Sequence, residues 1–236
     1  AADSLNGTDQ PDRKGPLRVV QSGWVSARAV QRAAYVVFAF AFLCGLVLVV
    51  HGGWPILLAG FASLVAGYAY SAGPWPIARG PWGEVFVTLF FGLVAVGGMA
   101  YLVTGALTGA ALLLGLAVGL TAAAVLLVNN TRDREGDTRA GRRTLANRLS
   151  RAGSTRFSAA LMGGAVAAAA AVALAGPGLW GAVLGLACVP LVLKAVRAFA
   201  GATDPEVFNQ CLRRTAGFQA ALCGATCLGL MVSGAF

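Results

Sequence analysis

The sequence has few charged residues. Asp, Glu, Lys and Arg make up 11% of its 236 residues, whereas a soluble domain usually contains about 25%. Hydrophobic residues make up 58% of the chain, and the mean hydropathy is +0.74. This composition excludes an ordinary soluble globular protein and predicts an all-α polytopic membrane protein.

Histidine is almost absent, and the cysteines form no recognisable pattern. His51 is the one histidine, and it lies in a short HGG turn, where a solvated loop position gives it no chemical role. The five cysteines have neither metal-binding nor redox spacing. Buried packing is the simplest role for most of them, so the sequence argues against a redox centre or a metal site built on cysteine.

Long apolar runs dominate instead. A membrane span needs about 20 residues, and seven runs approach that length, at 33–50, 54–73, 82–103, 109–130, 156–175, 179–199 and 214–235. All 18 Lys and Arg residues lie on one side of these runs. The positive-inside rule makes that side the cytoplasm and predicts a multi-pass protein of the cell inner (cytoplasmic) membrane.

The net charge of +9 is explained by orientation and by anionic lipid headgroups. We therefore expect the lipid bilayer, and no nucleic acid, as a partner. The nine Asp and Glu residues lie on the same side as the basic residues. Because orientation does not require acids, their confinement predicts that the chemistry occurs at the cytoplasmic face.

One polar segment, residues 129–151, interrupts the apolar sequence with three acids and seven arginines. Asp133 and Asp137 are four residues apart, so on a helix their carboxylates share one face and repel unless a cation lies between them. Mg²⁺ uses one or two carboxylates and takes other ligands from phosphate and water. Arginines suit phosphate oxygens, and five surround the acids: Arg132, Arg134, Arg139, Arg142 and Arg143. The segment predicts a magnesium diphosphate site.

A simpler interpretation is that these arginines only fix the orientation of the chain. Fixing the orientation requires neither Asp133 nor Asp137. The simpler interpretation also leaves Asn129 and Asn130 unexplained, because side-chain amides at the end of a membrane helix cost free energy unless they are solvated or liganded.

The amino-terminal segment repeats the order of the polar segment: acids, then Arg, Gly, Leu and Arg. Its acids are Asp3, Asp9 and Asp12, and its arginines include Arg13 and Arg18. The repeat predicts two acidic loops that face each other across one cytoplasmic cavity. Asp3 is the preferred candidate metal ligand in this segment, and Asp9 and Asp12 are weaker candidates. Arg13 and Arg18 are candidates for contact with the diphosphate.

Glycines and aromatic residues indicate how the helices are arranged. Three small-xxx-small pairs predict close helix packing, namely Gly105/Gly109, Gly115/Gly119 and Gly181/Gly185. Trp75 and Trp82 are typical of residues at the membrane interface. Tyr70 ends an apolar run in YSAGPWP, where it would also be able to face a substrate.

The polar segment, NNTRDREGDTRAGRRTLANRLS, resembles the second aspartate-rich motif of the UbiA superfamily of intramembrane prenyltransferases. Its form is typical of the 1,4-dihydroxy-2-naphthoate polyprenyltransferases of menaquinone synthesis. Two other blocks are similar to that branch, GTDQPDRKGPLRVVQSG and YSAGPWPIARGPWGEVFVTLFFGLVAVGG, and NQCLRRTA resembles its late loop. The resemblance thus extends over nearly the whole chain.

The resemblance implies one domain over 1–236, with a first cytosolic loop at 1–32 and a second aspartate-rich loop at 129–156. It implies nine transmembrane helices in the full-length protein, around a central cavity that opens laterally to lipid and is capped by cytosolic loops. Asp3 would end the family's first Asn-Asp-x-x-Asp motif. Seven helices are therefore expected in this chain, and two helices with the rest of that motif are expected before residue 1.

The resemblance also implies an activity, in which a polyprenyl diphosphate prenylates 1,4-dihydroxy-2-naphthoate with loss of its carboxylate to give demethylmenaquinone. Asp133 and Asp137 would bind Mg²⁺, and Asn129 and Asn130 would order that end of the helix. Arg132, Arg139 and Arg142 would contact the diphosphate, with Arg142 standing where the family commonly has Lys. Apart from the resemblance, we expect Tyr70 or a neighbouring aromatic residue to stabilise the allylic cation through its ring face.

Other functions fit parts of the same pattern. Within the superfamily, the alternative acceptors of the prenyl group are 4-hydroxybenzoate, homogentisate, haem and a chlorophyll precursor. A transporter would place ionisable groups near the bilayer midplane, whereas this chain keeps them near one face. A scaffold that binds anionic lipids through its arginines leaves the aspartate pair without a role.

Overall fold

The fold is a bundle of helices. The computed structural model describes residues 19–20, 22–72 and 75–234. All regular structure in these ranges is helical, and six helices are long and apolar enough to cross a membrane. They are α1 (Ala27–Ser71), α2 (Gly83–Thr104), α3 (Gly109–Arg132), α6 (Arg151–Leu174), α7 (Trp180–Gly201) and α8 (Pro205–Val232); short helices α4 (Arg134–Arg139) and α5 (Leu145–Arg148) lie between α3 and α6. The protein is a multi-pass helical membrane protein.

Helix α1 reverses direction at Gly53. This residue has φ 66° and ψ −155°, a conformation available essentially to glycine. A Cβ atom on Gly67 would lie 3.5 Å from Cζ of Phe38, although a straight helix would separate the two residues by about 43 Å. The predicted runs 33–50 and 54–73 are therefore two antiparallel segments of one element. Together they make up one of the six long helices.

The turn of α1 is tighter than the HGG sequence predicts. His51 is still helical, and its Nδ1 lies 3.1 Å from the carbonyl oxygen of Val47, one turn earlier. The prediction that His51 lies in a loop is wrong, because the reversal requires only the positive φ of Gly53. The His51 side chain is exposed, as expected.

Helix α3 lies at the centre of the bundle, where it packs against α2, α6 and α8. Ala123, Ala124 and Leu127 on α3 are fully buried. Alanine allows close approach of helix backbones, which is how membrane helices gain packing energy. This position fixes the carboxyl end of α3, where the polar segment begins.

Two of the three predicted glycine contacts are confirmed. A Cβ atom on Gly119 would lie 2.5 Å from the carbonyl oxygen of Thr88, which belongs to a π-helical turn of α2. A Cβ atom on Gly181 would overlap the carbonyl of Gly229. In both places the backbones approach too closely for any side chain.

The pair Gly105/Gly109 was predicted to pack in the same way, and this prediction is wrong. Gly105 ends α2 with φ 74°, and a Cβ atom on either residue would meet no atom within 4 Å. Gly105 serves as a left-handed helix cap, a role for which glycine is the usual residue.

Helix α8 begins nine residues before the predicted span 214–235. Asp204 precedes it, and Pro205 occupies its first turn, a position for which proline is well suited. The segment NQCLRRTA, predicted to be a loop, is therefore helical, and that prediction is wrong. The earlier start carries Asn209 alongside the carboxyl end of α3.

Candidate active site

Arg132, the last residue of α3, is the centre of a hydrogen-bond network. Its side chain donates from Nε and Nη2 to the two carboxylate oxygens of Asp133, each at 2.8 Å. Nη2 also donates to Oδ1 of Asn129, and Nη1 donates to Oδ1 of Asn209 on α8, both at 2.8 Å. Arg132 is only 6% exposed. Four of the five N–H groups of a guanidinium are therefore bound within the protein.

The two predicted carboxylates lie one helical turn apart. The amide of Asp137 donates to the carbonyl oxygen of Asp133 at 2.8 Å. Asp137 is buried and forms an ion pair with Arg142, whose Nη1 lies 3.3 Å from Oδ1. Arg139 ends α4 and is exposed. Asp133, Asp137 and Arg142 thus occupy one compact region at the end of α3.

Asn130 connects this region to α2. Its Nδ2 donates to Oε1 of Glu84 at 3.2 Å. Glu84 is 4% exposed, and its Oε2 is buried without a hydrogen-bond partner among the described residues. An unpaired buried carboxylate oxygen is costly. A group that donates to Oε2 is therefore strongly favoured at this position.

Tyr70 lies beside Glu84. A Cβ atom on Gly83 would be 3.8 Å from the hydroxyl oxygen of Tyr70, and Gly83 immediately precedes Glu84 in α2. The ring of Tyr70 lies 5.5 Å from that of Phe86, which lies 4.6 Å from that of Phe90. An aromatic row therefore leads from the polar region along α2.

The turns that follow Asp133 are held by a second set of bonds. Nη2 of Arg134 donates to Oγ of Ser154 at 3.0 Å, and Nδ2 of Asn147 donates to the Arg134 carbonyl at 3.2 Å. Burial and the like charge of Arg151 lower the pKa of Arg134. The amide of Arg143 donates to the carbonyl of Arg79 at 2.7 Å. Segment 129–156, predicted as a loop, thus consists largely of fixed helical turns.

An aromatic row and an apolar cavity lie on the membrane side of this polar region. The cavity has a volume of about 550 Å³ and lies between the two arms of α1 and the second half of α2. Phe38, Phe61, Val94 and Gly98 are among its lining residues. A Cβ atom on Gly98 would meet no atom within 4 Å, so the cavity wall is open at this position.

The carboxylates present suit a hard divalent cation. Within the described ranges, no three His, Cys, Asp or Glu residues form a cluster, and the candidate ligands are the two aspartates one helical turn apart, Asp133 and Asp137. Each carboxylate oxygen has two lone pairs, and Arg132 uses one on each oxygen of Asp133. Mg²⁺ needs only one or two carboxylates when phosphate and water complete its shell. The donor set therefore fits Mg²⁺.

Most of the site residues predicted from the sequence lie close together in this region. Asn129, Asn130, Arg132, Asp133, Asp137, Arg142 and Tyr70 converge, whereas Asp3, Asp9, Asp12, Arg13 and Arg18 lie outside the described residues. Two residues in the network were not predicted: Glu84 and Asn209. Glu84 carried a signal, because it is an acid at the start of an apolar run, which is a costly place for a carboxylate.

Comparison with known proteins identifies the family of this chain. A model of the UbiA prenyltransferase family matches residues 3–212. The chain belongs to the UbiA prenyltransferase family. The resemblance inferred from the sequence motifs is confirmed, and the chain is an enzyme of the prenyltransferase class. No solved structure matches this UbiA chain significantly.

Curated relatives of this UbiA protein share one name. The chain is 34% identical to a 1,4-dihydroxy-2-naphthoate octaprenyltransferase of Escherichia coli (strain K12), over 90% of this chain and 71% of that protein. It is 34% identical to the protein of that name from Mycobacterium tuberculosis, over 82% and 65% of the two chains. The Haemophilus influenzae protein is 33% identical over 62% and 50%. The chain thus spans about half to 71% of the length of these relatives.

Proposed function

We propose that the protein transfers a polyprenyl group from a polyprenyl diphosphate to 1,4-dihydroxy-2-naphthoate, with release of diphosphate and loss of the acceptor carboxylate as CO2. The product is the quinol form of demethylmenaquinone, and a separate oxidation gives the quinone. The observation that carries this proposal is the position of the Asp133/Asp137 pair. It adjoins the Glu84 and Tyr70 region, from which an aromatic row leads along α2. Diphosphate, acceptor and isoprenoid tail each have a chemically suitable environment.

The diphosphate end of the donor belongs beside Asp133 and Asp137. When bound there, Mg²⁺ would supply Lewis-acid stabilisation to the departing diphosphate. Arg142 adds a positive charge that cannot be lost. Arg132 contributes differently, because its bonds to Asp133, Asn129 and Asn209 hold the carboxylate in one orientation. Such preorganised charges stabilise a developing anion more strongly than water does.

The acceptor belongs between this site and the start of α2. Oε2 of Glu84 is suited to accept a hydrogen bond from an acceptor hydroxyl, because it is buried and lacks a partner in the described part of the chain. The ring of Tyr70 adjoins the same region, where an aromatic face would stabilise an allylic cation. Its contact with Phe86 continues the apolar lining and excludes water from that cation.

The isoprenoid tail would follow the aromatic row into the cavity beside α1. Phe90 is followed one turn later by Val94, which lines the cavity. Glu84 and Val94 are separated by about 15 Å along the helix. The charged end of a prenyl diphosphate would therefore lie at the polar segment while its chain lies among Phe38, Phe61 and Gly98.

The proposed topology places this site on the cytoplasmic side of the inner membrane. Helix α1 reverses at Gly53, and its 45 residues would extend about 67 Å if straight, more than twice the hydrocarbon thickness of about 30 Å. Two crossings by α1 and one by each of the other five long helices give seven. The confinement of the Lys and Arg residues to one side then sets the orientation.

The test is prenyl transfer in lipid nanodiscs. Purified full chain is supplied with a polyprenyl diphosphate, Mg²⁺ and, in separate reactions, 1,4-dihydroxy-2-naphthoate, 4-hydroxybenzoate and homogentisate. We expect a prenylated product from the naphthoate alone, detected by mass spectrometry. Transfer to another acceptor would reject the naphthoate specificity but keep the prenyltransferase, and no product with any acceptor would reject both.

Asp133→Ala provides the matched test of the site. Removal of a direct metal ligand should reduce turnover by more than the roughly 10–100-fold typical of outer-shell partners. Glu206→Ala is the control, because it removes an exposed acid on α8. If Asp133→Ala retains wild-type turnover, Asp133 does not hold the metal.

A further inference from the structure

A second cavity, lined by α7 and α8, carries three positive side chains. Its volume is about 690 Å³, within the usual range for sites of small ligands. The basic lining residues are Lys194, Arg197 and Arg214, and the apolar ones include Leu191 and Phe218. One cavity thus combines a cationic part with an apolar wall.

Two helices contribute the three cations of this cavity. In the part of the chain that the structure describes, no carboxylate forms an ion pair with Lys194, Arg197 or Arg214. Lys194 and Arg197 are three residues apart and share one face of α7, and Arg214 approaches the same cavity from α8. Like charges gathered in this way repel one another, so the cavity favours an anion.

The cavity is separate from the candidate active site. Asn209 contacts Arg132 from one side of α8, and Arg214 is five residues later, about 140° around the helix. None of the residues that line this cavity belongs to the hydrogen-bond network of Arg132. An anion bound by Arg214 therefore lies on a different face of α8 from the Asp133 region.

The depth of the cavity matches the headgroup layer of a bilayer. Helix α8 has 28 residues and is about 42 Å long, whereas the hydrocarbon core is about 30 Å thick. The first part of α8, which exceeds the hydrocarbon thickness, would lie outside the hydrocarbon core. Arg214 is about 14 Å from the start of α8 and would therefore lie near the boundary. Leu191 and Leu193 on the adjoining turns of α7 are exposed apolar side chains, as expected for a surface in contact with acyl chains.

We propose that this cavity binds the headgroup of an anionic phospholipid. The lipid phosphate lies among Lys194, Arg197 and Arg214, and an acyl chain runs along Leu191 towards the membrane. Basic pockets between membrane helices on the cytoplasmic side bind such headgroups. The proposal does not depend on the prenyl-transfer reaction, because neither the acceptor nor the diphosphate site contributes to it.

The experiment measures lipid binding directly. Purified full chain in detergent is titrated with fluorescent phosphatidylglycerol and, separately, with phosphatidylcholine. We expect phosphatidylglycerol to bind more tightly, and Arg214→Gln and Lys194→Gln each to weaken it about fivefold. Both residues are exposed, so these variants should fold.

Arg213→Gln is the matched control. It removes the same charge from the neighbouring residue, which is exposed but does not line the cavity, and it should leave the affinity unchanged. An equal loss in Arg213→Gln and Arg214→Gln would overturn the proposal, because it would indicate a diffuse surface charge. Equal binding of the two lipids would overturn it too. Displacement of the lipid by low concentrations of inorganic phosphate or diphosphate would also overturn the proposal, because it would identify a free anion as the ligand of the cavity.

Discussion

The Arg132→Lys variant tests whether Arg132 positions the active site or binds diphosphate. The sequence predicted contact with the diphosphate, whereas four N–H groups of this side chain are bound to Asp133, Asn129 and Asn209. Lysine keeps the positive charge but carries its donors on one nitrogen. Its single nitrogen cannot reach all four acceptor oxygens, which belong to three residues on two helices. We therefore expect at least two of the four hydrogen bonds to be lost.

The expected effect follows from the character of these bonds. A hydrogen bond to a charged group contributes about 1.5–3 kcal/mol, so loss of two costs about 3 kcal/mol or more. If that loss falls on the transition state, kcat/KM decreases about 100-fold. If it falls on folding, the thermal midpoint decreases. Because Arg132 is buried, solvent cannot replace the missing partners.

Two measurements separate the roles of Arg132. Prenyl transfer is followed by mass spectrometry at varied donor concentration, and thermal unfolding is followed in the same detergent. Arg148→Lys is the control, because Arg148 is an exposed arginine of the same polar segment. Wild-type kcat and thermal midpoint in Arg132→Lys would refute the positioning role. A raised KM for the donor, with both of those values unchanged, would assign diphosphate contact instead.

Three other substitutions test separate parts of the structure. Glu84→Gln should lower kcat about tenfold or more, because a hydrogen bond to a charged group contributes about 1.5–3 kcal/mol, and it should leave the thermal midpoint unchanged; wild-type kcat would show that Oε2 does not contact the aromatic substrate. Gly98→Leu should reduce turnover of long prenyl donors relative to short ones because it fills the cavity beside α1, whereas Gly163→Leu, at an open position on α6, should not. Gly229→Ala should destabilise the protein by about 1–3 kcal/mol through overpacking, whereas Gly224→Ala, with open space around it, should be neutral or slightly stabilising; equal thermal midpoints would contradict the close contact of α7 and α8.

The candidate site was predictable to the extent that it is local in sequence. Asp133 and Asp137 are four residues apart, and any helical turn brings them to the same side of the chain. Asn129 and Asn130 adjoin the same turn. Asn129 contacts Arg132 within one turn of α3, whereas the contact of Asn130 with Glu84 depends on the relative positions of α2 and α3. Sequence spacing within one helix contains no information about those positions.

The fold shows the same division. Apolar runs long enough to cross a membrane predicted most of the spans, because the bilayer fixes the required length. The glycine pairs predicted packing by spacing alone, and Gly105/Gly109 does not pack because Gly105 is needed as a helix cap. The start of α8 was also missed, since the polar residues near Asn209 face a polar partner rather than lipid.

By itself the sequence determined that the protein crosses the membrane several times, and it predicted that the charges lie near one face and that one aspartate pair forms the centre of the chemistry. These features depend on composition and on spacing along single helices. Only the tertiary structure decided that Arg132 holds Asp133 in place, that Glu84 and Asn209 join the site, and that Lys194, Arg197 and Arg214 share a cavity. Each of these depends on which faces of different helices meet, and that is set by close packing of small residues across the whole bundle.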